Sequence, residues 1–128
     1  MMTIYIAMPD ALLVGRRQVG AWHGERRLEG LPAQCVAADP LRPEFVCCGT
    51  FGHGLWRSVD AGATWRQVGA GTLRSPQITA VAVSAMERAG EYGVIYAGTE
   101  PSALYHSEDG GQTWHELTEL LALPSAPT

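Results

Sequence analysis

Short apolar runs alternate along the chain with clusters of Gly, Pro, Asp and Ser. Runs this brief, bounded by turn residues, predict β-strands, since a helix would carry a 3.6-residue period over about ten residues or more. "CVAAD" (35–39) and "TAVAVS" (79–84) read as strands of small apolar residues. "EFVCCGT" (44–50) and "GVIYAGT" (93–99) are near-continuous apolar runs rich in β-formers, as expected of strands covered on both faces. "LWRS" (55–58) and "LYHS" (104–107) follow, and then "TWRQV" (64–68) and "TWHEL" (113–117).

These eight strands form two copies of one unit. Aligning the copies places Asp60 and Asp109 at the same position, 49 residues apart. Gly49 then matches Gly98, Thr50 matches Thr99, Leu55 matches Leu104 and Trp56 matches Tyr105. The second copy is longer between its first two strands, where "AMERAGEYG" replaces "PLRPE". That insertion predicts a longer surface hairpin, with a short helix in "SAMERAG" as the alternative. A weaker copy precedes both. "TIYIAM" (3–8), "ALLVGRR" (11–17) and "AWHGERRL" (21–28) read as its second, third and fourth strands, with Trp22 in the place of Trp65. Its first strand is missing from the N-terminus.

Four-stranded units of about 40–50 residues are the signature of β-propeller blades. The predicted fold is therefore all-β: antiparallel blades, about three of them, in one partial propeller spanning residues 1–128. Blade 1 (3–28) lacks its inner strand, blade 2 covers 35–68, blade 3 covers 79–117, and 118–128 reads as a C-terminal linker. A partial ring implies further C-terminal blades in a longer propeller, or self-association that completes the ring.

"SVDAGATW" (58–65) and its echo "SEDGGQTW" (107–114) join the third and fourth strands of these two blades. Ser58, Asp60, Ser107 and Asp109 suit the capping of backbone N–H groups in a tight turn. Gly62 and Gly111 suit a positive φ. Thr64 and Thr113 are placed to bond back across the turn, and Trp65 and Trp114 to pack between blades. A catalytic carboxylate is expected once per site, not once per blade, so no catalytic role is assigned to either aspartate. The motif S-x-D-x-G-x-T-W resembles the Asp-box, or BNR repeat, of bacterial sialidases, sortilin-type receptor domains, xyloglucan-cleaving glycosidases and photosystem II assembly factors. The wider phrasing, "AADP…VCCGTFGHGLWRSVDAGATW", looks like bacterial BNR-repeat proteins often labelled exo-sialidase or glycosyl hydrolase on the strength of the repeat alone. What the resemblance implies is a peripheral structural role for these ten residues, remote from any central site.

Chemistry elsewhere in the chain is sparse. The formal charge of −4 gives no general attraction to nucleic acid or anionic membrane. All nine basic residues are arginine; Arg16, Arg17, Arg26 and Arg27 are expected on a solvated surface. Cys35, Cys47 and Cys48 are odd in number and lack metal spacing, so they read as small buried thiols, and adjacent Cys47 and Cys48 must face opposite sides of a strand. No cofactor or metal site is expected. A calcium loop would need more oxygen ligands than either turn offers. The Arg-Ile-Pro signature of sialidases is absent. Asp10 and Asp39, the aspartates outside the two turns, read as turn residues, Asp39 within an Asp-Pro strand end. The loops expected to face a ligand carry Phe51, His53, Arg74 and Glu100. The function these readings favour is a cytoplasmic, non-catalytic propeller module that binds or scaffolds an unidentified protein or small ligand, and not nucleic acid or membrane. The alternatives are a glycoside hydrolase with catalytic groups largely outside this chain, and an assembly factor for a larger complex.

Overall fold

The computed structural model describes residues 2–121, and these form three antiparallel sheets in chain order. The first holds β1 (Met2–Met8), β2 (Ala11–Gln18) and β3 (Ala21–Arg27). The second holds β4 (Ala33–Asp39), β5 (Arg42–Thr50), β6 (Leu55–Ser58) and β7 (Arg66–Val68), paired in that order. The third holds β8 (Ile78–Ala89), β9 (Tyr92–Thr99), β10 (Ala103–Ser107) and β11 (His115–Glu116), again in sequence. A four-residue helix, α1 (Thr118–Leu121), opens the stretch read from sequence as a linker. The remainder of that stretch, 122–128, lies outside the described residues.

The sheets stack face to face, and two apolar layers hold them. Between the first and second sheets lie Leu12, Val14, Ala33 and Cys48, with Tyr5, Val36 and Trp65 packed against them. Between the second and third lie Phe45, Cys47, Leu55, Val68, Ile95, Ala97, Tyr105 and Trp114. Cys47 and Cys48 are both fully buried and serve opposite layers, as the strand pleat requires. Burial pushes each of their thiols up to about 12. Gly49 allows the close approach of the second and third sheets: a Cβ there would come within 2.5 Å of Ile78 and 2.6 Å of Cys35.

The insertion in the third unit extends a hairpin and does not form a helix. β8 runs on to Ala89, with a register shift between Val83 and Arg88, and turns at Gly90. Two features favour the extended form. Ser84 Oγ accepts the backbone N–H groups of Met86 and Glu87, bending the strand there. The arm then clips onto the second sheet. Arg88 meets the fully buried Asp39 end-on, Nη1 to Oδ1 at 2.8 Å and Nη2 to Oδ2 at 2.9 Å. Gly93 and Leu41 donate their N–H groups to the same carboxylate. Phe45 and Tyr92 stack beside it, 4.2 Å between ring centres. Asp39, read from sequence as a local turn residue, thus also joins two sheets. Burial raises its pKa, but the Arg88 guanidinium and the two N–H donors outweigh that and hold the carboxyl below its usual value.

Removing one partner of a buried, bidentate ion pair typically costs about 3–5 kcal/mol, whereas an exposed pair contributes below about 1 kcal/mol. Asp39→Ala should therefore lower the unfolding free energy by about 3 kcal/mol in a urea titration. Arg42→Ala, which breaks the exposed contact to Glu91, should cost less than about 1 kcal/mol.

Candidate functional site

The two S-x-D-x-G-x-T-W turns are closed knots of hydrogen bonds. Ser58 Oγ donates to Asp60 Oδ1 at 2.7 Å and accepts the N–H of Gly62 at 2.8 Å. Thr64 donates its N–H to Asp60 Oδ1 at 2.9 Å and its hydroxyl to Oδ2 at 2.5 Å. Trp65 Nε1 closes back on the Gly62 carbonyl at 2.9 Å. Ser107, Asp109, Gly111, Thr113 and Trp114 repeat every one of these bonds. Gly62 sits at φ +87°, and a Cβ there would press on Tyr5 and Val14. The Thr64 hydroxyl and N–H and the Ser58 hydroxyl pull the Asp60 carboxyl down to about 2. Asp109 is held low by the equivalent Thr113 and Ser107 bonds, which outweigh its desolvation.

Each turn is also a socket for the preceding sheet. Arg16 Nη2 reaches the Ala61 carbonyl at 2.9 Å, and Arg27 Nε reaches the Ala63 carbonyl at 3.2 Å. Arg57 Nη1 reaches the Gly110 carbonyl in the same manner. Arg16 and Arg57 are equivalent by register: Arg16 lies opposite His23, and Arg57 opposite Arg66. Sequence reasoning placed Arg16 and Arg27 on the solvated surface; they are instead ties between sheets.

Of the loop residues expected to face a ligand, Phe51 and Glu100 are brought onto one rim. Phe51 bridges Gln77, whose carbonyl accepts the Glu100 N–H at 3.0 Å. Ser75 Oγ donates to the Glu100 carbonyl at 2.7 Å, so the loops are stitched together. Phe51 stays 45% exposed. His53 lies exposed in the hairpin loop, where its carbonyl accepts Trp56 Nε1 and Gln67 Nε2. Arg74 does not join them: its guanidinium is taken up by both oxygens of Glu116 and by the Tyr105 hydroxyl.

A different surface follows from the inner strand that the sequence leaves out of the first blade. Among the described residues β1 ends its sheet, with a bare edge where the other two sheets have a further strand. Between β1 and β4 a cleft of about 480 Å³ opens, lined by Ile4, Tyr5, Val36, Ala38, Pro43 and Glu44 among others. Tyr5 lines the cleft, and its hydroxyl is buried with no hydrogen-bond partner among the described residues. Burial of the phenol raises its pKa, against the lowering pull of Arg16. The cleft lies toward the Asp39–Arg42 end of the second sheet, whereas Phe51 follows the opposite end of β5. Among the described residues, no group of three or more His, Cys, Asp or Glu is placed to hold a metal ion.

Three stacked antiparallel sheets that follow one another along the chain, with turn and tryptophan repeating from sheet to sheet, define a run of β-propeller blades. Known proteins agree on that architecture. No family model matches the chain. A Neosartorya fischeri protein described as "Probable oligoxyloglucan-reducing end-specific xyloglucanase" is 28% identical over 108 residues, which is 81% of this chain and 12% of that protein. Among solved structures, YCF48 bound to D1 peptide superposes with a TM-score of 0.66 at 13% identity, covering 90% of this chain and 37% of that one. The GH74 xyloglucanase from Xanthomonas campestris gives 0.65 at 24% identity, covering 89% and 20%. The chain thus spans a minor part of each of these three proteins.

Stability should fall on acidification with a defined sign. The depressed carboxyl of Asp60, like those of Asp39 and Asp109, stabilises the fold above the unfolded-state pKa of about 4. That contribution is lost as the pH drops toward about 2, the folded value of Asp60. Thermal melts across this range should show a progressive decline in Tm, shallower in Asp60→Ala. At pH 7 Asp60→Ala should cost about 1–3 kcal/mol by urea unfolding, since it strands the Thr64 and Ser58 donors.

Proposed function

We propose that this chain is a non-catalytic propeller module that binds an extended protein segment, added as a strand to the bare edge of β1. The observation that carries this reading is the cleft between β1 and β4, which opens beside the bare edge of β1. In the second and third blades the corresponding position is filled by β4 and β8, whose sequences are mostly small and apolar. An incoming strand of that composition gains main-chain hydrogen bonds from β1, and its alternate side chains enter the cleft. The solved YCF48 structure, alike in fold, holds a peptide, which supports a peptide as the class of occupant and a scaffolding or assembly role. The Asp-box resemblance supports the same reading, because it assigns the repeated aspartates to the fold.

One observation favours a second reading, as part of a glycoside hydrolase: the 28% identity to the Neosartorya fischeri protein. Glycoside hydrolysis needs two carboxylates about 5–10 Å apart across a sugar. Asp39, Asp60 and Asp109 are each engaged by several donors, so on this reading the acid pair comes from further blades of a longer protein. Release of reducing ends from xyloglucan oligosaccharides would favour it.

A seven-residue peptide with the sequence of the first β8 positions, ITAVAVS, is the probe for strand addition. It should give a saturable heat of binding by calorimetry. At a free concentration about a hundred times its Kd it should stabilise the fold by about 3 kcal/mol. Ala38→Arg, which fills the cleft from β4, should abolish the binding while the cooperative melt persists. No binding heat at millimolar peptide, or an equal response to a scrambled peptide, would sink the proposal.

A further inference from the structure

The two outermost sheet faces are the two halves of an interface that the molecule already forms twice. On one side of each blade lie the positions occupied by Val46, Cys48 and Trp65 in the second blade and by Ile95, Ala97 and Trp114 in the third. The pairing register assigns Met2, Ile4 and Trp22 to these positions in the first blade. In the second and third blades Val46, Cys48, Ile95, Ala97 and Trp114 are buried against the preceding blade. In the first blade Met2, Ile4 and Trp22 are exposed, Trp22 to 50% against 5% for Trp114. Ile4 and Trp22 both lie over Gly15, forming one continuous apolar surface.

The opposite side of each blade carries the complementary set. In the second blade Ala37, Cys47, Leu55 and Arg57 face the third blade, three in the apolar layer and Arg57 on the Gly110 carbonyl. Their counterparts in the third blade are Ala82, Tyr96, Leu104 and His106, with His115 beside them. Tyr96 stacks on His106 with 6.2 Å between ring centres, and His115 lies tilted against His106 at 5.8 Å. His106 thus stands where Arg16 and Arg57 reach into the next blade, and among the described residues nothing takes up that position.

We propose that the exposed face of the third blade docks on the exposed face of the first blade of a second copy of this chain, and the reverse, closing a two-chain ring. The contact is head-to-tail, because each internal interface joins these two unlike faces in that order. Three blades from each copy give a ring of about six, within the roughly 4–8 that propellers close with. Docking covers an apolar patch of the kind that soluble monomers rarely leave open. Ile4 borders both the cleft and the first-blade face, whereas Val36 and Ala38 line the cleft alone, so Ala38→Arg tests peptide binding and Trp22→Glu tests pairing.

Light scattering coupled to gel filtration of the 128-residue chain should give twice the monomer mass. Trp22→Glu and Ala82→Arg change exposed residues, one on each docking face, and each variant alone should run as a folded monomer. Mixed together they should regain a dimer, since Trp22→Glu retains an intact third-blade face and Ala82→Arg an intact first-blade face. A wild-type monomer with a cooperative melt at about 100 µM would overturn the proposal. So would a series of larger aggregates, or a pair that survives one substitution, which would mean that like faces meet. Should either variant fail to melt cooperatively, Met2→Glu and His115→Glu test the same two faces.

Discussion

A blade that is apolar on both faces has no stable existence by itself; each face must be covered, and this requirement organises the molecule. β5 shows it most plainly: Val46 and Cys48 enter one layer or face, Phe45 and Cys47 the other, and all four are buried. Roughly 1.5–3 kcal/mol attaches to each large apolar side chain so buried, which makes the two layers the main source of cohesion. Polar ties then fix how one blade sits on the next. The turn before each fourth strand uses its serine, aspartate and threonine internally and presents its carbonyls outward. Arg16 and Arg57 take up those carbonyls from the preceding blade. The tryptophan that follows each turn fills the apolar layer while its indole N–H stays bonded to the turn. One short motif therefore shapes a loop, packs a layer and receives a neighbour.

The same requirement accounts for where the acidic groups have gone. Asp60 and Asp109 hold turns, and Asp39 holds the arm of β8 and β9 against the second blade. Each is drawn below its ordinary pKa by donors directed at the ionised form, the condition of a structural carboxylate and the reverse of a general acid, whose pKa is raised. The surface left open at the first blade is apolar and, among the described residues, edged by unpaired backbone. An unpaired strand edge recognises another strand through main-chain bonds, with selectivity set by the size of alternate side chains.

Much of this was legible in the residues. The eleven strands follow from short apolar runs and turn residues, and β6 occupies the span read from its sequence. The fourth strands are shorter than read, because Thr64 and Thr113 belong to the turn through their bonds to Asp60 and Asp109 and not to a ladder. Arg16 and Asp39 misled for a common reason. A charged residue beside a turn has the same local sequence whether it meets solvent or a carbonyl 45 residues away, as Arg16 does.

What the sequence determined by itself was every feature that repeats or is local: strand order, turn chemistry, the opposite facing of Cys47 and Cys48, and the blade as the unit. These follow from the two-residue period of a strand and from hydrogen bonds spanning a few positions. What only the tertiary structure decided was every feature that depends on two blades meeting. The Arg88–Asp39 clasp, the arginine sockets, the cleft beside Tyr5 and the unlike character of the two outer faces all join residues far apart in the chain. Their geometry is set by the stacking of twisted sheets, which no short stretch of sequence encodes.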